Sequence, residues 1–212
     1  LGLFAQTNAQ VSASNVESVD YSAKYNTYYF SNTGSGYIKQ MDASGTVTDL
    51  GTAQGSHGLE VVGDTLFACD GGRIKGYQLP SGTQVINVNL GGSFLNGITH
   101  KGDDLFITDF SAGKIFRMNR WTLVYNTFEW VTGTPNGIVY DDISDRLVYV
   151  LWTTGGIYEC NLTDSTHSLV ASSSLRNMDG IHIDCEGNLY ISSWSPQRTR
   201  KFSNDFVSGP ID

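Results

Sequence analysis

The sequence predicts an all-β protein, a β-propeller built from four-stranded blades, on three observations. Five related segments recur along the 212 residues, at steps of 40, 39, 40 and 43 residues. Each segment contains short runs of β-branched and aromatic residues, which are typical of strands. The 24 glycines and the 16% of charged residues suit many short strands joined by tight turns. A period of about 40 residues with four strands is the pattern of a propeller blade.

Each repeat begins with a polar residue at the start of its first strand. In the fourth repeat, Asn136 opens a strand over 136–140, and further strands follow over 145–150 and 156–160. The same order of three strands recurs in every repeat. A fourth, looser strand follows in the first four repeats, over 46–50, 83–90, 123–130 and 166–171. The fifth repeat stops soon after its third strand, so the sequence contains five repeats, the last one short.

An aromatic side chain recurs in the second strand of every repeat. Because one blade cannot cover its own apolar face, we expect these side chains to pack between neighbouring blades. They are Tyr29, Phe67, Phe106, Tyr149 and Tyr190.

The beginning of the chain has two interpretations. Residues 1–10 change from apolar to small side chains, as the end of a secretory signal does, which predicts a secreted or periplasmic protein. Alternatively, residues 3–13 supply the outer strand that the fifth repeat lacks and close a five-bladed ring. Residues 11–212 are predicted to form a single propeller domain. A longer protein with a sixth blade is the other alternative for the short last repeat.

Charge and composition exclude several classes of partner. The formal net charge of −8, without any basic run, argues against nucleic acid, because phosphate binding requires clustered Lys and Arg. No apolar run reaches the 18 or so residues that a membrane span needs. The three cysteines match no zinc motif. We expect buried free thiols, with a Cys160–Cys185 disulfide as the alternative.

The residues that open the five repeats are the candidate site. The first strands of propeller blades surround a central channel, so equivalent residues at their starts should face one another. Carboxylate and amide oxygens are ligands that suit Ca²⁺ or Mg²⁺. The alternative is structural, because Asn and Asp before Gly are common turn residues. The five residues are Glu17, His57, Asn96, Asn136 and Asp179.

The repeats resemble those of the gluconolactonase and regucalcin (senescence marker protein) superfamily. The resemblance rests on strands that begin Asn-Gly-Ile or Asp-Gly-Ile and on Gly-Asn-Leu-Tyr-Ile over 187–191, and it extends over about 15–205. It implies a propeller, usually six-bladed, that is a metal-dependent lactonase or esterase with a divalent cation in the channel. The expected ion is Ca²⁺, with Mg²⁺, Zn²⁺ and Mn²⁺ as alternatives.

Residue by residue, the resemblance implies that Glu17, Asn136 and Asp179 bind the metal. It also implies that Asp179 is the general base and that Asn96 contacts the substrate. His57 is a second candidate for substrate binding, because it occupies the equivalent position in the second repeat. One departure concerns Phe94, which stands where the sugar-lactone members carry an Arg. The metal ligands of that superfamily therefore have clearer counterparts in this sequence than its sugar-recognising residues do.

Two functions follow from the sequence. The first is a metal-dependent hydrolase with a small-molecule substrate. The second is a non-catalytic, secreted propeller that binds a ligand or a protein partner. Trp152 and Trp194, which follow second strands, form an apolar ligand wall in one interpretation and pack between blades in the other.

Overall fold

The structure, a computed structural model, describes residues 13–53 and 57–207, and this part of the chain contains strands and turns but no helix. Antiparallel hairpins join consecutive strands into five small sheets. The prediction of an all-β propeller with five blades is confirmed.

The first blade contains β1 (Val19–Ser22), β2 (Thr27–Asn32), β3 (Tyr37–Met41) and β4 (Val47–Thr52). The second contains β5 (Leu59–Val62), β6 (Thr65–Asp70), β7 (Arg73–Gln78) and β8 (Thr83–Asn89). The third contains β9 (Leu95–Lys101), β10 (Asp104–Asp109), β11 (Lys114–Asn119) and β12 (Tyr125–Trp130). The fourth contains β13 (Pro135–Asp141), β14 (Arg146–Leu151), β15 (Gly156–Asn161) and β16 (His167–Ser172). The fifth contains β17 (Arg176–Ile183), β18 (Leu189–Ser195) and β19 (Gln197–Phe202).

The chain divides into two compact units, which are described separately. The first contains the sheet β1–β4 and most of the sheet β5–β8, and the second contains the three later sheets. In every sheet the strands pair in chain order. The fifth sheet has three strands among the described residues, as the short fifth repeat predicts.

Apolar side chains fill the space between neighbouring sheets within each unit. In the first unit, Tyr29 of β2 packs with Leu66 of β6. In the second unit, Phe106 and Tyr149 belong to one cluster between the third and fourth sheets, and a further cluster joins the fourth and fifth. Burial of these large side chains is the main stabilising contribution to such small sheets.

The predicted packing between blades is confirmed for Tyr29, Phe106 and Tyr149, and Phe67 is also buried. The exception is Tyr190, which is only half-buried. Its hydroxyl donates to Asp184 at 3.1 Å, and the Lys201 ammonium lies 5.6 Å from its ring. A polar contact at the sheet surface therefore replaces packing at this position.

The thiols differ in their surroundings. Cys69 and Cys160 are buried and free, as expected, and burial raises the pKa of the Cys160 thiol to about 12. Cys185 is also free but exposed, so the expectation of a buried thiol is wrong there. It lies in the turn after β17, where its side chain leaves the sheet.

Two predictions about the ends of the chain stay open. Residues 1–12 lie outside the described residues, so the signal-like segment and the closing strand over 3–13 stay predictions.

None of the described residues forms a helix long and apolar enough to cross a membrane.

Glycine recurs after the opening residue because the first strands of adjacent blades approach closely. A Cβ on Gly97 would lie 2.5 Å from the carbonyl oxygen of Asn136, and one on Gly137 would lie 2.4 Å from that of Asp179. Neither distance is tolerable, and the obstructing atoms are backbone. The Gly in Asn-Gly is therefore required by contact between strands β9, β13 and β17.

We expect Gly137→Ala to lower the free energy of unfolding by about 2 kcal/mol, because overpacking forces the backbone of β13 away from β17. Gly180→Ala is the matched control, since a Cβ there would meet only Ser192 Oγ at 3.3 Å among the described residues. Chemical denaturation measures both variants. Equal stabilities would contradict the close approach of the strands.

Candidate functional site

Three of the five opening residues lie in β-bulges of the second unit. In the fourth blade, Pro135 pairs with Leu151 and Ile138 with Tyr149, so Asn136 and Gly137 together oppose one residue, Val150. The third and fifth blades show the same irregularity at Asn96 and Asp179. A bulge redirects side chains and is common beside functional sites. Each of the three lies within a strand and not in a turn, so the structural alternative for them is hydrogen bonding within the sheet.

Hydroxyl side chains bind the backbone of these bulges. Thr108 Oγ1 accepts a hydrogen bond from the Gly97 amide at 2.8 Å and donates to the Asn136 carbonyl of the next blade at 2.7 Å. Ser192 Oγ accepts from the Gly180 amide at 2.9 Å. A bulge leaves backbone groups outside the strand ladder, and these hydroxyls satisfy them. Thr108 thus helps to fix the position of Asn136.

The sequence interpretation did not identify these hydroxyl residues. The available signal was a polar residue inside an otherwise apolar second strand. Thr108 follows Leu-Phe-Ile, and both it and Ser31 of the first unit are completely buried. Buried hydroxyls need hydrogen-bond partners, so their presence indicates irregular backbone nearby.

Asn136 and Asp179 form a direct side-chain pair. Asn136 Nδ2 donates to Asp179 Oδ1 at 2.9 Å and to the Met178 carbonyl at 3.1 Å. Both partners are acceptors, so the amide must present its NH₂ group to them and its carbonyl oxygen in the other direction. The structure therefore brings together two of the three predicted metal ligands.

Trp194 donates to the other carboxylate oxygen of the pair. Its Nε1 lies 2.7 Å from Asp179 Oδ2, while 56% of the residue is exposed. The two donors hold the carboxylate in one orientation, and each oxygen retains further acceptor capacity. The sequence interpretation placed Trp194 after the second strand, but it lies within β18, and its hydrogen bond to Asp179 was not predicted.

Asn136 Oδ1 is a buried oxygen that has no hydrogen-bond partner among the described residues. Asn136 is only 1% exposed, so bulk water does not solvate this oxygen. An unsatisfied buried carbonyl costs roughly 1–3 kcal/mol, which a bound group would recover. Amide and carboxylate oxygens are ligand types that suit a hard divalent cation, but here the amide presents Nδ2, and not Oδ1, to the Asp179 carboxylate. The Asn136–Asp179 pair therefore has the ligand types for a cation, and one ion can bind both residues after the Asn136 amide rotates.

The remaining candidates are placed as follows. In the first unit, His57 Nδ1 lies 3.9 Å from Glu17 Oε2, and their side chains are 21% and 28% exposed. The Glu17 amide donates to Ser31 Oγ at 3.0 Å, a contact like those in the second unit. Asn96 is half-buried in the bulge of β9. Across residues 13–53 and 57–207, no three His, Cys, Asp or Glu residues form a group that could hold a metal ion.

Comparison with known proteins identifies the fold to which this chain is similar. No protein-family model and no curated protein matches this sequence. Solved structures do match, among them the nidogen/laminin complex, with a TM-score of 0.81, 18% identity and coverage of 94% of this chain and 80% of that one. The chain is thus similar in fold to known β-propellers, and the bulges add a carboxylate–amide pair at the starts of first strands.

Two of the similar structures are enzymes. A gluconolactonase from Xanthomonas campestris matches with a TM-score of 0.77 and 19% identity, over 92% of this chain and 74% of that one. A catalytically inactive virginiamycin B lyase from Staphylococcus aureus, with quinupristin, matches with a TM-score of 0.73 and 14% identity, over 95% and 71%. At these identities the likeness shows the propeller fold alone.

Proposed function

We propose that this protein is a divalent-cation-dependent hydrolase of lactones or esters, in the manner of the gluconolactonase-like propellers. The observation that carries the proposal is the buried Asn136 Oδ1, which has no hydrogen-bond partner among the described residues, on a side chain whose amide contacts the Asp179 carboxylate. The similarity in fold to a gluconolactonase supports it. Ca²⁺ is the proposed ion because amide and carboxylate oxygens suit it.

In this proposal, the Asn136 side-chain amide rotates so that Oδ1, in place of Nδ2, faces Asp179, and both residues bind the cation. When bound, the cation would polarise the substrate carbonyl and lower the pKa of a nearby water. Asp179 also accepts a proton from the attacking water, with its carboxylate held by Trp194 Nε1. Asn96, which occupies the equivalent bulge in the neighbouring blade, helps to orient the substrate. The roles of Glu17 as a ligand and His57 as a substrate contact remain predictions from sequence.

Calorimetric titration with CaCl₂ and turnover assays on lactones and esters test the proposal. We expect turnover to be lost with a chelator and restored by Ca²⁺, and we expect Asn136→Ala to weaken calcium binding at least tenfold. Asn126→Ala is the matched control, because Asn126 is an exposed amide in the outer strand β12. Titration of Glu17→Gln tests the prediction from sequence that Glu17 is a ligand. Chelator-resistant turnover, or equal calcium affinity in Asn136→Ala and the control, would refute the proposal.

A second candidate is a non-catalytic protein-binding module. It is favoured by three exposed tryptophans, Trp121, Trp130 and Trp194, since Trp is enriched at protein interfaces. The similarity in fold to a propeller of the nidogen/laminin complex also supports it. This candidate requires that no lactone or ester be hydrolysed, so chelator-sensitive turnover excludes it. Secretion belongs with this candidate as a prediction from the signal-like segment.

A further inference from the structure

Three aromatic residues occupy one register position in the three blades of the second unit. In each blade, the residue just before the opening residue pairs with a residue of the second strand. The aromatic residue comes directly after that second-strand residue. Leu95 pairs with Asp109, and Phe110 follows. Pro135 pairs with Leu151, and Trp152 follows; Met178 pairs with Ser193, and Trp194 follows. The bulges and these aromatic side chains therefore lie at the same end of their blades.

A fourth aromatic side chain, Phe94, extends this group. Phe94 and Phe110 are in edge-to-face contact with centroids 5.7 Å apart, and Phe110 and Trp152 are 6.0 Å apart. Aromatic pairs at such spacings have a geometric preference and stabilise one another. We call Phe94, Phe110, Trp152 and Trp194 the aromatic row. Its first three members form a continuous chain of ring contacts.

Backbone hydrogen bonds hold the beginning of the row in place. The Asp109 carboxylate, which is completely buried, accepts from the Phe94 amide at 3.0 Å and from the Ser93 amide at 2.8 Å. The Phe110 amide also donates to the Phe94 carbonyl at 2.9 Å. These contacts fix the segment before Asn96, so the rings are preorganised and a ligand loses little free energy in ordering them.

Trp194 contacts the polar pair and belongs to the row by its register position in the neighbouring blade. Its indole N–H is occupied by Asp179, yet more than half of the residue is exposed. The exposed remainder is an apolar ring surface beside a carboxylate. The other members of the row, Phe94, Phe110 and Trp152, are half-buried, so each retains some accessible ring surface.

We propose that the aromatic row binds an aryl group of the substrate, so that the preferred substrates are aryl-substituted lactones or esters. This inference rests on the proposed function for the identity of the reacting group. The row presents ring faces, and its two phenylalanine side chains offer no hydrogen bond to a sugar hydroxyl. An aryl ring buries apolar area against these side chains and can stack on Trp194.

The first test compares γ-phenyl-γ-butyrolactone with its methyl analogue, γ-valerolactone. We expect kcat/KM for the phenyl compound to fall about tenfold in Trp194→Ala relative to that for the methyl compound, because stacking is lost. Taking the ratio between substrates removes the common effect of Trp194 on Asp179. Trp121→Ala is the matched control, because Trp121 is also exposed and donates its indole N–H to an aspartate, Asp103.

The second test measures binding without turnover, using the phenyl-substituted γ-lactam as a stable analogue. We expect it to bind more tightly than the methyl lactam, and we expect Trp194→Ala, but not Trp121→Ala, to weaken it about tenfold. Trp194→Phe should retain most of the affinity for the lactam, because an aromatic face remains.

The outcomes separate the two proposals. If the phenyl lactam binds no better than the methyl lactam, or Trp194→Ala leaves its affinity unchanged, the aryl subsite is wrong even where lactones are hydrolysed. If the lactam binds as expected and no lactone or ester is hydrolysed, the proposed function fails and the aryl subsite stands.

Discussion

Asp179→Ala is expected to reduce turnover of any lactone or ester substrate by about a thousandfold, the middle of the range for a general base. The substitution removes the proton acceptor and one of the two cation ligands in the Asn136–Asp179 pair. Steady-state kinetics at saturating calcium measures the loss. Asn136 Nδ2 still has the Met178 carbonyl as an acceptor at 3.1 Å, so the bulge keeps one of its side-chain contacts.

Asp142→Ala is the control for this substitution. Asp142 is an exposed carboxylate in the turn after β13, so its removal changes the net charge equally without touching the bulge. We expect near-normal turnover in this variant and similar thermal unfolding in both. Retention of more than a tenth of the activity by Asp179→Ala would show that Asp179 is not the base.

Asp141→Ala is expected to have a large effect on stability, lowering the free energy of unfolding by about 3 kcal/mol, as removal of one partner of a buried ion pair does. The Asp141 side chain is 0% exposed, and its Oδ2 accepts from Arg146 Nε at 3.0 Å and Asn204 Nδ2 at 2.8 Å. Arg146 also contacts Glu159 at 2.8 Å. The substitution removes the Asp141 contact between the turn after β13 and the segment that follows β19, while Ser144 Oγ still donates to Asn204 Oδ1 at 2.9 Å. Denaturation of this variant beside Asp142→Ala measures the effect.

The same carboxylate gives the stability a dependence on pH. Burial by itself raises the pKa of Asp141, but hydrogen bonds from Asn204, Arg146 and the Ser144 amide outweigh it and hold the pKa below its ordinary value. A lowered pKa in the folded state stabilises the protein above the ordinary carboxylate pKa of about 4, and this contribution disappears as the pH falls through the lowered value. The difference in stability between wild type and Asp141→Ala should therefore shrink at acid pH. A difference that does not change with pH would contradict the charged contact.

The fold was predictable because the repeated sequence pattern specifies the same strands in every blade. The order of strands within each blade follows from the turn residues and from the alternation of apolar and polar side chains. The predicted outer strand 166–171 differs from the observed β16, His167–Ser172, by one residue at each end. Outer strands are the most exposed, so their apolar pattern is weak and their bounds less certain. The half-buried Tyr190 could not be predicted, because its exposure depends on contacts of the last sheet.

The candidate site was predictable only in part. The repeat identified Asn136 and Asp179, but Asn-Gly and Asp-Gly were compatible with turns, and only the strand register shows bulges. The contact from Trp194 Nε1 to Asp179 joins residues 15 apart across a hairpin, and no local pattern encodes it. The unpartnered Asn136 Oδ1 is likewise a property of packing between blades, which sequence spacing does not report.

A crystal structure of the protein grown with CaCl₂ tests the central claim most directly. The account predicts a calcium peak about 2.3–2.6 Å from Asn136 Oδ1 and from an oxygen of Asp179. A well-ordered Asn136 whose Oδ1 instead accepts a hydrogen bond from a protein group, with calcium absent from the pair, would contradict it.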